Sequence, residues 1–428
     1  MKNIFLPILL GMSLFVSAQF DSNPNLFNYT GTTLNPHFNS QMRDSALNRI
    51  TASFDYFANS NSVPAMFAYK MIFKGQINNT LKDRANRGIK NRLAFEDYLN
   101  AGFDYQRYLK KWDGMLYFGY HHRQMRNLSG SKETYQLLFY GNAMFEDDTV
   151  DLSGIRFQNF IYNQYTFGIQ KTFRSNRIRT DFGLSYSFLQ VMSNQQISTR
   201  DAWLYTAPDG EYLDMQYDLK YNSADEGATP FTEMNGIGFS GDLHLSISEE
   251  NQWKLALDVS DLGVMSFSKH PVNYTDTGFV HFQGIEFPNL FSFNSATFGN
   301  LNIDSALLTN LPKKTNKHYS VMVPFTAALV YSQPIFGDKL VISVGGQYRH
   351  IPRYFFYGYL KANYFIRPDM VFSASMGGGG YSKFNLGFEF SKSWKYFDFT
   401  LGTGNIIGLV VPTHYTGTGL YLRLGTSF

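Results

Sequence analysis

Apolar and polar residues alternate with a period of two through much of this chain, a pattern that commits it to β-strands with two unlike faces. In the clearest instance Phe384, Leu386, Phe388 and Phe390 share one face, against Asn385, Gly387 and Glu389 on the other. Phe397, Phe399 and Leu401 likewise oppose Asp398, Thr400 and Gly402, and Leu340, Ile342 and Val344 oppose Val341, Ser343 and Gly345. Trp253, Leu255, Leu257 and Val259 oppose Lys254, Ala256, Asp258 and Ser260. Charges share a face with small residues, and aromatics own the other. A soluble barrel turns the large apolar side chains inward and a membrane barrel turns them outward; alternation by itself does not choose.

The connections do choose. Six are tight and polar, at Lys110 to Gly114, Arg174 to Arg177, Glu249 to Asn251, Phe336 to Asp338, Arg367 to Asp369 and Ser393 to Lys395. Others are long, around residues 74–92, 127–155, 193–235 and 266–316. Short turns at one end and long loops at the other mark an outer-membrane barrel, whose short turns face the periplasm. Outgoing strands then fall near residues 48–73, 115–126, 178–192, 252–265, 339–350, 369–378 and 395–403. Returning strands fall near residues 93–110, 156–173, 236–249, 317–335, 354–366, 382–391 and 416–428. The expected fold is thus all-β: a transmembrane antiparallel up-and-down barrel of about 14 strands (roughly 12–16), with both ends at the periplasmic rim. Asn59-Ser60-Asn61-Ser62 interrupts the first strand, as a bulge or a separate hairpin. The long loops carry structure of their own. Glu133 to Gly141 has helical spacing and a glycine stop, and Trp203 to Tyr221 reads as a hairpin about Pro208-Asp209-Gly210. A second hairpin is expected near Tyr274 to Phe287, and a short helix near Asp304 to Thr309.

Composition fits a lipid-facing sheet around a polar interior: 41 Phe and 29 Tyr accompany only 17% charged residues. At the start, Met1-Lys2-Asn3, the apolar run Ile4 to Val16, and Val16-Ser17-Ala18 read as a signal peptide cleaved after Ala18. No later run of about 18 apolar residues could form a spanning helix; Val321 to Val330 is short and holds Pro324. The expected division is residues 1–18 as signal peptide, 19–47 as a periplasmic segment or short plug, and 48–428 as the barrel. The absence of cysteine leaves no lipoprotein anchor and no disulfide framework. The net charge of +3 points to no nucleic acid partner. The last strand places Leu420, Leu422, Leu424, Thr426 and Phe428 on one face. A terminal aromatic there resembles the signal read by the barrel assembly machinery. Outer-membrane lipid and that machinery are therefore the expected partners, in a Gram-negative cell.

Several short motifs add a resemblance. Asp151-Leu152-Ser153-Gly154, Ile237 to Asp242, Leu257 to Gly263, Phe282-Gln283-Gly284-Ile285 and the early Leu34-Asn35-Pro36 resemble an uncharacterised Bacteroidetes outer-membrane barrel family, a domain of unknown function. More distantly, the strand count is similar to that of FadL-like channels for long-chain fatty acids. That likeness implies binding or passage of a hydrophobic or amphipathic small molecule. The chain departs from it in offering only Phe20 to Asn48 as a plug.

No enzymatic motif is present. Gly238-Phe239-Ser240-Gly241 lacks the spacing of a nucleophile elbow, and Gly377 to Gly380 lacks the Lys-Ser or Lys-Thr of a phosphate loop. The four glycines suit a kink near the outer rim. His121, His122 and His350 show no partner at metal-ligand spacing and are expected at the surface or rim, so no metal or cofactor is anticipated. Alternation turns Asp242, His244, Lys254, Asp258, Gln347, Arg349, Glu389 and Arg423 into the lumen, either as an ion-paired filling or as the polar lining of a solute path. Phe139, Phe145, Trp203, Phe287, Phe291 and Phe293 in the outer loops either cap the barrel or form a capture surface for an apolar ligand or protein. The leading expectation is a FadL-like binder of an amphipathic molecule; the alternative is a surface scaffold or secretion-associated barrel that docks a protein partner.

Overall fold

The structure, a computed structural model, describes residues 47–73, 75–224, 234–249, 252–269, 271–282, 318–336 and 339–428. Expectations for the signal peptide, nearly all of the N-terminal segment, the helix near Asp304, and Phe287, Phe291 and Phe293 lie outside those residues. The described strands run β1 (Asn48–Ser60), β2 (Arg92–Leu109), β3 (Gly114–Ser131), β4 (Asp148–Asp151), β5 (Arg156–Ser175) and β6 (Ile178–Thr206). They continue as β7 (Leu213–Ala224), β8 (Gly236–Glu249), β9 (Trp253–Phe267), β10 (Val272–Phe282), β11 (Tyr319–Met322) and β12 (Thr326–Pro334). The last six are β13 (Leu340–Arg349), β14 (Phe355–Arg367), β15 (Met370–Gly380), β16 (Ser382–Ser393), β17 (Phe397–Thr403) and β18 (Thr418–Ser427).

These make a closed antiparallel barrel of 14 strands, because β4, β7 and β10 stand above it and β11 and β12 together form one wall strand against β9. Closure is by β1 on β18, from Arg49 opposite Ser427 to Ala58 opposite Thr418. Phe428 extends the seam: its carbonyl accepts from the amides of Leu47 and Asn48, and its own amide donates to Asn48. All backbone polar groups of a spanning segment need such partners, since lipid offers none.

The narrow turns gather at the end where β1 starts and β18 finishes. Asn176 (φ 52°) sits in the two-residue turn between β5 and β6, and Asp113 (φ 46°) in the turn between β2 and β3. Side-chain carbonyls let Asn and Asp adopt this left-handed backbone at little cost. The outward face carries Phe103, Phe118, Phe167, Phe182, Leu184, Phe239, Leu329, Val344, Leu360 and Phe372, all exposed in the isolated chain. A continuous apolar band of that kind is stable only against lipid. No helix among the described residues is long and apolar enough to cross a membrane. We expect the protein to migrate differently on gels with and without boiling, since the intact hydrogen-bonded cylinder resists detergent; identical migration would refute the closed barrel.

The opposite end is built up. The first strand stops at Ser60, short of residue 73 where alternation extended it. Ser60 Oγ accepts from the amides of Ser62 and Val63, which turns the chain into α1 (Ala65–Ile72). There follow α2 (Asn79–Gly88), capped by Asn78, and α3 (Lys132–Tyr140), capped by Ser131 and ended by Gly141 at φ 82°. Val63, Phe67, Leu81, Ala85, Ile89, Leu93 and Tyr135 join these helices into one small core over the outer rim. Tyr140 donates to Asp83 at 2.7 Å; burial and that bond push its phenol up to about 12, so it keeps its proton at neutral pH. The β6–β7 hairpin turns at Pro208–Gly210. Val272–Phe282 is one strand laid antiparallel on β7, so within the described residues the pairing is with Leu213–Ala224 and not an internal hairpin. A short helix, α4 (Ile406–Val410), lies between β17 and β18.

Candidate functional site

The lumen is tied across its middle. Glu96 on β2 and Arg349 on β13 lie on opposite sides of the barrel, and their charged groups meet at 2.9 Å with both side chains buried. Arg123 on β3 reaches Asp261 on β9 at 2.5 Å, and Gln164 on β5 donates to the same carboxylate at 2.9 Å. Asp261 reaches inward because β9 bulges: Gly241 faces Leu262 and Leu243 faces Val259, leaving one extra residue on β9. It takes φ 64°, and its amide donates to Asp242 at 2.7 Å. A bulge of this kind re-aims a side chain, and here it delivers a carboxylate to the centre of the bore. Above the ties, Ile351 and Tyr381 pack on Ala94 and Met125 of the far wall.

This septum divides the lumen. On one side Phe160, Tyr162, Leu189, Val191, Met265, Phe267, Tyr319 and Val323 fill the space with apolar side chains, and the Phe267 and Tyr319 rings stack at 4.7 Å. On the other side lies a cavity of ≈ 280 Å³. Its wall includes the inward faces of β1, β2 and β13 to β18, with Phe57, Tyr98, Tyr354, Tyr357, Tyr359, Tyr381 and Tyr421 supplying the rings. The Arg349 guanidinium sits over three of its rings, 5.0 Å from Phe57, 5.4 Å from Tyr98 and 6.0 Å from Tyr354. Weak hydration and a planar shape let arginine, and not lysine, occupy such a place. Toward the outer end the wall turns to amides and hydroxyls: Asn59, Ser382, Asn385, Thr403 and Asn405.

The eight side chains assigned inward by alternation serve different places. Gln347, Arg349 and Glu389 line the cavity. Glu389 is held by Lys361 at 3.2 Å and Tyr421 at 2.7 Å, and Arg423 lies 3.7 Å from Asp55. Asp242 accepts from Ser185 and from the Asp261 amide under the septum. His244 and Asp258 pair at 2.7 Å, and Lys254 is the residue that β12 aligns with Ser332 near the periplasmic end. Mixed charges thus cross-link the walls, as a paired interior requires.

One expectation is corrected. His121 is neither surface nor rim: it is fully buried, with Nδ1 3.0 Å from Asn100 and Nε2 2.9 Å from Asp104. Position 121 falls on the lumenal face of β3, where those two side chains of β2 satisfy both ring nitrogens. His122 is partly buried and bonded to Asn163, while His350 is exposed and stacks on Phe325 at 5.0 Å. Among the described residues no group of three His, Asp or Glu side chains could hold a metal ion.

The outer aromatics within the described residues are already engaged. Phe139 packs edge-on against Phe67 at 5.0 Å, and Phe145 is buried with Val150, Leu204 and Tyr217. Trp203 lies 6.2 Å from Phe279 and donates to Gln216 at 3.0 Å. Sequence alternation located the polar face but missed the septum, because the partners are remote in sequence and one depends on a bulge. It also passed over Tyr354 and Tyr381, which sit between strands.

An apolar outer band, a polar bore and 14 hydrogen-bonded strands define a transmembrane β-barrel of the outer-membrane class. Within that class the chain belongs to a family of unknown function, DUF5723, whose profile matches residues 50–404. No curated protein matches it. Among solved structures it is similar to a deltaS2S3 mutant of the TodX monoaromatic hydrocarbon channel, with 8% identity and a TM-score of 0.46, covering 95% of this chain and 92% of that one. The P. putida toluene transporter TodX gives 8% identity and a TM-score of 0.40, covering 95% of this chain and 91% of that one. The CymD monoaromatic hydrocarbon channel gives 10% identity and a TM-score of 0.32, with 96% and 95% covered.

Proposed function

We propose that this barrel binds an amphipathic small molecule in its lumenal cavity on the way through the outer membrane. The observation that carries the reading is the cavity itself, a ≈ 280 Å³ space ringed by aromatic faces and bounded by fixed polar groups. That size approaches the lower end of the roughly 300–1,000 Å³ typical of small-molecule sites, and mixed aromatic and polar walls are the usual recognition surface. A barrel serving only as a scaffold has no need to keep such a space open, since filling it with side chains would add packing.

The test is native mass spectrometry of the protein taken from its own membrane in lipid-preserving particles. A stoichiometric small adduct is expected, lost when Ser375→Trp fills the cavity from β15. A stoichiometric protein partner with no adduct would overturn the reading in favour of a surface scaffold or secretion-associated barrel.

A further inference from the structure

The charge balance of this cavity narrows its ligand, a step that rests on the lumenal binding proposed above. Every ionic group on its wall already has an opposite partner inside the barrel. Glu96 holds Arg349, Asp261 holds Arg123, Glu389 holds Lys361, and Asp55 faces Arg423. A charged head group would have to break one of these pairs or enter as an uncompensated charge, and both are costly in a confined space. A neutral head group disturbs none of them.

The outer wall of the cavity shows what a neutral head group would meet. Asn59 is shared between Glu96, to which it donates at 3.1 Å, and Ser382, from which it accepts at 3.2 Å. Asn405 is 1% exposed; its amide nitrogen donates to Asn385 at 3.0 Å and to the Thr416 carbonyl at 3.2 Å. Its amide oxygen accepts no hydrogen bond from the described residues. A buried acceptor left without a donor is costly, and a ligand hydroxyl or amide N–H that parts the wall side chains covering it would satisfy it. Below this polar wall stand the tyrosines, with Tyr357 and Tyr359 stacked at 6.1 Å. Such rings offer flat apolar faces together with hydroxyls, a surface suited to a saturated ring that is apolar on its faces and polar at its edge.

We infer that the cavity selects an uncharged, hydroxyl-bearing ring as the head of its ligand, a glycosyl or comparable polyol group, and discriminates against ionic heads. The probes are three hexyl compounds with one tail and different heads: hexyl β-glucoside, hexanoate and hexyltrimethylammonium. Each is titrated into the full chain in lipid nanodiscs, with empty nanodiscs as the blank, by calorimetry and ligand-observed NMR. The glucoside should bind saturably and at least tenfold more tightly than either ion. Asn405→Leu, which removes the waiting acceptor, should weaken the glucoside at least fivefold and leave the ions unchanged. Saturable binding of an ion as tight as the glucoside, in the unaltered protein, overturns this inference and leaves the lumenal reading standing. Saturable binding of none of the three counts against both.

Discussion

Replacing Arg349 by Met should lower the stability of the folded barrel by about 3–5 kcal/mol, the usual cost of leaving a buried partner charge uncompensated. Glu96 is 2% exposed, and apart from the Arg349 guanidinium its carboxylate accepts from the Asn59 amide. Losing the guanidinium also removes its contact with the Phe57, Tyr98 and Tyr354 faces. Joining Glu96→Leu to the substitution should recover most of the loss, because an apolar pair of similar volume needs no compensation. Equilibrium urea unfolding in lipid vesicles, followed by tryptophan fluorescence, reads both. A cost below about 1 kcal/mol for Arg349→Met would mean that water reaches Glu96 and that the septum is wet.

The second large effect lies on the other face. Val344 on β13 is 56% exposed, on the apolar band, and opposes Tyr331 on β12 and Leu360 on β14. Val344→Arg should destabilise by about 2–4 kcal/mol in vesicles, the cost of a cation on the lipid face near mid-membrane. Replacing Gly358, one strand away and nearer the outer rim, by Arg should cost much less, since the penalty falls toward the interface. The same urea titration separates them. Equal and small costs for both would place the band in water and refute the assigned orientation.

The strands were legible because alternation is local. Leu340 to Gly345 carries its two faces in six consecutive residues, and the tight turns carry Asn176, Asp113 and Pro368 where the backbone needs them. Helix α3 was legible for the same reason, with Ser131 and Gly141 at its ends. What escaped depends on distance. Glu96 and Arg349 are 253 residues apart, and nothing in either strand names the other. Asp261 reads as one more polar residue until the bulge turns it beside Ser260 into the bore. His121 looked like a rim residue because its partners, Asn100 and Asp104, sit on another strand. The helix α2 was hidden in a polar connection whose apolar residues, Leu81 and Ala85, are too few to announce a face by themselves.

The ties across the bore also act mechanically. An untied cylinder of strands flattens easily, since bending the sheet between neighbouring strands breaks no hydrogen bond. Struts at Glu96–Arg349 and Arg123–Asp261 fix a diameter and a shorter chord at once, so lateral pressure from the bilayer is carried as compression along them. The cross-section of this barrel should therefore vary little between thick and thin membranes, and the cavity beside the struts keeps one shape whatever lipid surrounds it.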